Sequence, residues 1–423
     1  MQLYAITPND LLFFRDGRPM ETGEGSGGHG ARWPFPTIFF DALHAALHRA
    51  FPENGGTATQ PWEVRHRARG RNGRTGELRF GGLHTVGPYP RNQNGEWLFP
   101  APLDARPGSG GLVHASSPLV ADRRLSNLPP PLSASVANRQ APTKEPVPAW
   151  WTAAAIERYL ADDQVNADGL SKASDLWSTE WTTGIGTNPA MDAQDQVRIY
   201  SASYLRLKPS TSLGCAGTLP GNEMSEVLAK LFPTDGHIVC GGQQRVCAVA
   251  LEKGLLSEVL PRPVPVAGPR VKWLLLSPAI FPKSPDHIGG WLPSWVDAVD
   301  GCVWLPREKP PRIAGESRHQ WRKRWNQPTR LDVRLVAACV GKPEVVTGWS
   351  DFLRATDGTH GSGKSTRLAV PAGSAYYFEG PDAPLLARLL TWDGNGPDTP
   401  QSRSGALGEK GLGHGITAPW NPW

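Results

Sequence analysis

The sequence predicts an α+β protein made of two ferredoxin-like βαββαβ units with long Gly/Pro-rich loop insertions, the first over residues 1–210 and the second over 211–423. Three observations carry this reading. Short strand-like runs alternate with single helical runs, and the second half loosely repeats the grammar of the first. Glycine (47) and proline (42) make up about a fifth of the 423 residues, so much of the chain is turns and extended loops. Against that, 39 % hydrophobic residues and 17 tryptophans supply burial that a disordered chain lacks, over a length that suits two or three domains.

Residues 3–7 alternate as a strand. A Gly-rich loop (23–30) then leads through Trp33-Pro34-Phe35-Pro36 into TIFFDALHAALHRAF, where Thr37 is a candidate N-cap and Phe40, Leu43, Leu47 and Phe51 share one helical face. Strand-like runs follow at 78–86 and 97–100, the second reached through the turn-rich GPYPRNQNGE. Residues 105–148, centred on Pro129-Pro130-Pro131, are expected to form an irregular, mobile excursion. A helix is expected over 149–163 and a strand over 196–208. The second half offers a helix at GNEMSEVLAKLF, strands at HIVCGG and RVCAVALE, and an apolar run at VKWLLLSPAIF. Strands at LDVRLVAACV and TRLAVPAGSAYYFE and a helix at DAPLLARLLTW complete it. In the tail, glycines at 405, 408, 411, 413 and 415 suit close backbone approach.

Charge is only mildly basic, 44 Lys and Arg against 39 Asp and Glu, and does not by itself identify a partner. Five widely spaced cysteines with no C-x-x-C pair argue against both a disulfide framework and a zinc ribbon, and a reducing compartment is expected. The first ten residues lack the basic start and apolar run of a leader, and no stretch approaches the roughly 18 apolar residues of a membrane span. The expectation is a soluble, cytoplasmic protein.

Gly358-Thr359-His360-Gly361-Ser362-Gly363-Lys364-Ser365 satisfies the phosphate-loop pattern letter for letter. That loop needs a buried strand before it and a helix after it, so that backbone N–H groups meet the phosphates. Here strand-like residues follow, and a polar turn between two strands is the simpler reading. His44 and His48 have the i, i+4 spacing of a metal pair, but Ala45 stands where a metalloprotease has glutamate, and structural histidines are expected. His29 and His414 lie in Gly-rich settings and could serve as acid or base in RNA cleavage. In RHRARGRNGRTGELR, Arg65, Arg67, Arg69, Arg71 and Arg74, with Arg79, are offset only by Glu77, and glycines break the run into a finger suited to a phosphate backbone. A second cluster, Arg318-His319-Gln320-Trp321-Arg322-Lys323-Arg324-Trp325, interleaves aromatics with cations, as single-strand binders do. A solvated basic surface is the plain alternative for both.

At Phe14-Arg15-Asp16-Gly17-Arg18-Pro19 a family resemblance enters. With it agree, in order, the aromatic/Pro segment before the first helix; Pro100-Ala101-Pro102-Leu103-Asp104; Glu180 with Gly184-Ile185-Gly186; residues 200–207; Gly241-Gly242-Gln243-Gln244-Arg245; Val370-Pro371-Ala372-Gly373-Ser374 with Tyr377-Phe378-Glu379; and the glycines of 411–415. The set spans nearly the whole chain and resembles the third-subunit family of Cmr-type (type III-B) CRISPR effector complexes, in the RAMP superfamily. Two departures stand out: Gly-Gly-Gln-Gln-Arg where the family commonly has Gly-Gly-Glu-Arg-Arg, and Ser350 after Gly348-Trp349 where it has aspartate. The resemblance implies two ferredoxin-like domains, binding of the 5′ handle of CRISPR RNA, and docking onto the large Palm-domain subunit and an adjacent backbone RAMP subunit. Target RNA would be met indirectly. It also implies no catalytic centre, metal or cofactor in this subunit.

The residues suit such binding. Arg15 and Arg18 flank a tight turn and can offer two guanidinium groups to phosphate. Gly241-Gly242 would admit a backbone to Gln243, Gln244 and Arg245, and the C-terminal glycines would do the same beside Lys410 and His414. Two competing classes remain: a metal-independent endoribonuclease using His29 or His44, and a nucleotide hydrolase using Lys364 and Ser365.

Overall fold

A computed structural model describes residues 1–15, 27–28, 30–50, 80, 82–108, 111–119, 135–138, 144–186, 198–219, 227–228, 230–232, 236–284, 287–306, 313, 315–317, 320, 327–354, 360–391 and 401–422. Elements used below are, in chain order, β1 (Gln2–Pro8), α1 (Pro36–Ala50), β2 (His84–Arg91), β3 (Leu98–Pro100), β4 (Trp150–Thr152), α2 (Ala153–Asp162), β5 (Trp177–Gly186) and β6 (Arg198–Leu207). They continue with β7 (Ser212–Thr218), β8 (Gly236–Val239), β9 (Val246–Glu252), β10 (Arg270–Leu275), β11 (Cys302–Leu305), β12 (Thr329–Cys339) and β13 (Glu344–Val346). The last are β14 (Trp349–Arg354), β15 (His360–Gly363), β16 (Arg367–Ala369), β17 (Ala375–Glu379), α3 (Ala383–Leu390) and β18 (Gly415–Ala418).

The chain is a mixed α/β protein, mostly sheet with few helices, organised on two five-stranded sheets. The first has order β8-β9-β1-β7-β2 and the second β11-β12-β17-β10-β18, with every pairing antiparallel. Strands β7 to β9 lie beyond residue 210 yet pair with β1, and the second sheet begins only at Arg270. The chain passes from the first sheet to the second in the connection between Glu252 and Arg270, beyond the division expected at 210 and 211. HIVCGG and RVCAVALE, assigned by pattern to the second unit, complete the first sheet.

Both central strands are apolar on two faces because each sheet is covered twice. Tyr4 and Ile6 of β1 pack with Phe39, Phe40, Leu43 and Leu47 of α1; Phe40, Leu43 and Leu47 belong to the helical face expected from the sequence, and Phe51 lies outside the described residues. On the opposite face Leu3, Val86 and Ala216 meet Ile156, Tyr159 and Leu160 of α2, together with Leu274, Ala375, Tyr377 and Ile416 of the second sheet. Val271, Trp273 and Leu275 then point to the far side, against Leu386, Leu389 and Leu390 of α3. The layers thus run α1, first sheet, shared middle core, second sheet, α3. Full burial of each large apolar side chain contributes about 1.5–3 kcal/mol.

Several local expectations shift. Helix α1 begins at Pro36, ahead of Thr37, with proline's fixed φ in the first turn where its missing N–H costs nothing. The helix expected from residue 149 starts at Ala153. Trp150, Trp151 and Thr152, bulky and β-branched, form β4 against β3, and Thr152 caps α2 by accepting from the Ala155 amide. The described part of the excursion is not loose. Residues 105–107 pair with 113–115, and Ala105 and Val113 enter the middle core.

The segment just before the excursion builds a buried joint. Asp104, fully buried, meets Lys272 of β10 at 3.2 Å, and Lys272 is itself 2 % exposed. Tyr377 donates to Asp104 Oδ2 at 2.6 Å, and the Lys272 ammonium lies 4.8 Å from the Tyr159 ring centre. The Leu103 amide donates to the Gly373 carbonyl. Two of the stretches behind the resemblance, 100–104 and 370–374, are therefore the two sides of one structural contact.

Candidate nucleic-acid interface

A cleft of about 520 Å³ opens at the junction of the two sheets. One wall is the entry to α1 from Arg32 to Ile38, backed by Pro88, Tyr89 and Trp150, and the other is Leu276–Pro278 with residues 344–347 of β13 and its exit. The wall is aromatic and fixed: the Trp33 indole N–H donates to the Pro88 carbonyl at 2.8 Å, and its ring lies 5.4 Å from Trp150 and 4.7 Å from Trp177. Tyr89 is buried and donates to the Leu276 carbonyl, tying the two walls.

Three charges line this space, Arg15, Arg32 and Glu344. Among the described residues none of them has an ion-pair partner. Arg15 is exposed, and its backbone is held in a bridge to Gly30. Glu344, which solvent reaches through the cleft mouth, has its pKa raised by the surrounding protein. Of the three, only Arg15 is singled out by sequence. Arg32 and Glu344 carry no motif; Arg32 could have been found only by its place beside the aromatic/Pro segment.

A second polar group sits two residues along from Arg15. Phe13 packs on Tyr204 and accepts the Gly242 amide through its carbonyl. Gly241 has φ +76°, and a Cβ there would stand 2.6 Å from the Phe13 carbonyl oxygen. The close approach that these glycines allow is therefore to the protein's own chain. Gln243 accepts from the Tyr204 hydroxyl at 3.0 Å and from Arg245 at 2.9 Å, and Arg245 lies over the Tyr204 ring, 3.8 Å from Asp10. Asp10 also meets Arg206, which pairs with Glu180. Gln244 is exposed, with φ 49°.

The C-terminal pair is held by the protein's own chain. Lys410 is bound to Asp41 at 2.6 Å and lies over Phe40, fastening the tail to α1. His414 is buried, its amide bonded to Ser277, and its pKa is depressed to about 4, mainly by burial, with His84 adding to the effect and the Gln401 backbone opposing it. Gly411 is closed against the β2 carbonyls of Thr85 and Gly87, and β18 runs as a buried strand beside β10. The tail's glycines serve strand packing because the second sheet needs its fifth strand there.

Arg18, Arg65, Arg67, Arg69, Arg71, Arg74 and His29 lie outside the described residues, as does nearly all of the 318–325 cluster. His44 is buried and stacked on Phe40. The segment carrying Lys364 and Ser365 follows β15, which pairs with β14, and leads into β16; among the described residues no helix follows it directly. Among the described residues no group of three His, Cys, Asp or Glu is placed to hold a metal, and no helix is long and apolar enough to cross a membrane.

The model of the Cas_Cmr3 CRISPR-associated protein family matches residues 4–420. This chain belongs to that family. Solved structures similar to this Cas_Cmr3 chain include a chain of the type III-B Cmr-beta complex bound to cognate target RNA and AMPPnP. The two are 16 % identical with a TM-score of 0.41, covering 89 % of this chain and 86 % of the other. A Csm3-Csm4 subcomplex of the type III-A interference complex matches at 10 % identity and TM-score 0.40, over 100 % of each chain. No curated protein matches.

Proposed function

We propose that this chain is a non-catalytic, cytoplasmic RNA-binding and assembly subunit of a type III-B effector ribonucleoprotein in antiviral defence. It holds the 5′ handle of CRISPR RNA, docks the large Palm-domain subunit and an adjacent backbone RAMP subunit, meets target RNA indirectly and uses no cofactor. The observation that carries this reading is the cleft, where two arginines with no ion-pair partner among the described residues stand beside a fixed aromatic wall. Single-stranded RNA is bound by that combination: cations take phosphates while splayed bases stack on rings. The scaffold is read as two ferredoxin-like halves. Leaving aside edge strands β8 and β11, each sheet runs fourth, first, third, second in chain order, as the βαββαβ pattern requires.

The competing enzymatic readings draw less support. His44 is stacked in a core, and the phosphate-loop lookalike lies between strands. The test is tagged expression with the neighbouring subunits, followed by sequencing of the RNA that purifies with the complex. Short RNAs sharing one repeat-derived 5′ end, lost in Arg15→Ala/Arg32→Ala, are the expected outcome. A complex that assembles around the same RNA regardless of both arginines overturns the cleft as the handle site, and metal-free cleavage of repeat RNA by the isolated chain would overturn the non-catalytic assignment.

A further inference from the structure

The cleft holds one group that phosphate binding does not use. Glu344 of β13 lines the same cleft as Trp33, together with Arg15, Arg32, Thr37, Ser277, Thr347 and otherwise apolar residues. Among the described residues its carboxylate has neither hydrogen bond nor cation; solvent reaches it at the cleft mouth, and partial desolvation by the surrounding protein raises its pKa. Arg15 and Arg32 are the cations that line the cleft with it, and among the described residues neither is paired with it. The site therefore offers two anion-binding groups, an aromatic wall and one acceptor-only group.

Resting on the reading of this cleft as an RNA site, we propose that Glu344 selects guanine: its carboxylate accepts from the base's Watson–Crick edge while the ring lies against Trp33 and the phosphate meets Arg15 and Arg32. An ionised carboxylate has two acceptor oxygens and no donor. Guanine alone presents two adjacent donors, N1–H and the N2 amino group, which a carboxylate can take together. Adenine and cytosine set one amino donor beside a ring nitrogen that repels the second oxygen. Uracil flanks its single N–H with two carbonyls. The cleft carries two positive groups to one negative, which fits a phosphate ester with a neutral donor edge better than a cationic side chain of a partner. The volume suits one nucleotide and not a duplex.

The experiment titrates the full-length chain with GMP, IMP, AMP, CMP and UMP, reading tryptophan fluorescence and heat. IMP keeps N1–H and lacks the amino group. GMP is expected to bind tightest, IMP about tenfold more weakly, and Glu344→Gln to bring GMP down to the level of IMP while leaving the other nucleotides unchanged. Arg32→Ala, an exposed change that spares the core, is expected to weaken all five. Equal affinity for the five bases that still falls in Arg32→Ala keeps the cleft as the RNA site and overturns the role of Glu344. No binding, or binding indifferent to Arg32, overturns both. Capture of free arginine in competition with the nucleotides, lost in Glu344→Gln, would assign the carboxylate to a protein partner and overturn the proposal.

Discussion

The buried joint and the open cleft lie at the same junction between the two sheets, and they treat charge in opposite ways. At the joint, Asp104 and Lys272 are both withdrawn from water, and their cost is offset by mutual attraction, by the Tyr377 hydroxyl and by the Tyr159 ring. In the cleft, Arg15, Arg32 and Glu344 keep contact with water and have no ion-pair partner among the described residues. Charges of the first kind fix how the halves meet. Those of the second kind remain available to a ligand, so a charged residue in this protein is informative about function only once its partner is known.

The comparison breaks most sharply at Asp104. Asp104→Ala would strand a buried ammonium and should cost about 3–5 kcal/mol, whereas the double change Asp104→Leu/Lys272→Met should be far milder. Urea midpoints of the two variants measure this. Equal losses would mean that packing, and not the charge pair, holds the joint.

Next comes His414, buried beside the same junction. Its folded pKa of about 4 lies below the ordinary 6.5, so the unfolded chain binds the proton more readily. Its contribution is complete above about pH 6.5 and is lost as pH falls from there towards 4, amounting to about 2 kcal/mol at pH 5. Thermal melts of wild type and His414→Asn at pH 7 and 5 should show the wild type losing more. Parallel losses would place the pH response elsewhere.

On the cleft side, Arg15→Ala and Arg32→Ala should each weaken RNA binding by about tenfold, as expected for a hydrogen bond to a charged group. Each should also flatten the dependence of log K on log salt by about 0.7, with melting temperature unchanged. A stability change without an affinity change would move these arginines into the structural class. The smallest effect is expected at Lys410, whose partner Asp41 is exposed. Lys410→Ala should alter stability by about 1 kcal/mol or less and leave RNA affinity as it was. A clear loss of RNA would restore the tail as a contact.

Much of the fold was legible in the chain. The helical face Phe40, Leu43 and Leu47, the strands around Tyr4 and at 198–207, and the terminal helix near Leu386 all follow from periodicity. The site was legible in part. Arg15 stood next to a recognisable turn, and Trp33 inside an aromatic segment of the family pattern, but Arg32 and Glu344 lie 312 positions apart in the chain and meet only across the cleft. Gln243, Arg245, Lys410 and His414 looked equally suited to RNA, since a sequence records that a side chain is polar and not whether its own protein satisfies it.

By itself, the sequence determined the family, through ordered motifs spread over nearly its full length, and the positions of most strands and helices, because those depend on neighbours within a few residues. Which sheet each strand joins was decided only in three dimensions. The strands at 212–252 have the same local pattern whether they open a second unit or close the first, and antiparallel pairing with β1 selects the latter. Tertiary structure likewise decided which charges face each other and which face solvent. Coulomb attraction and desolvation act through distance in space, and distance along the chain does not report it.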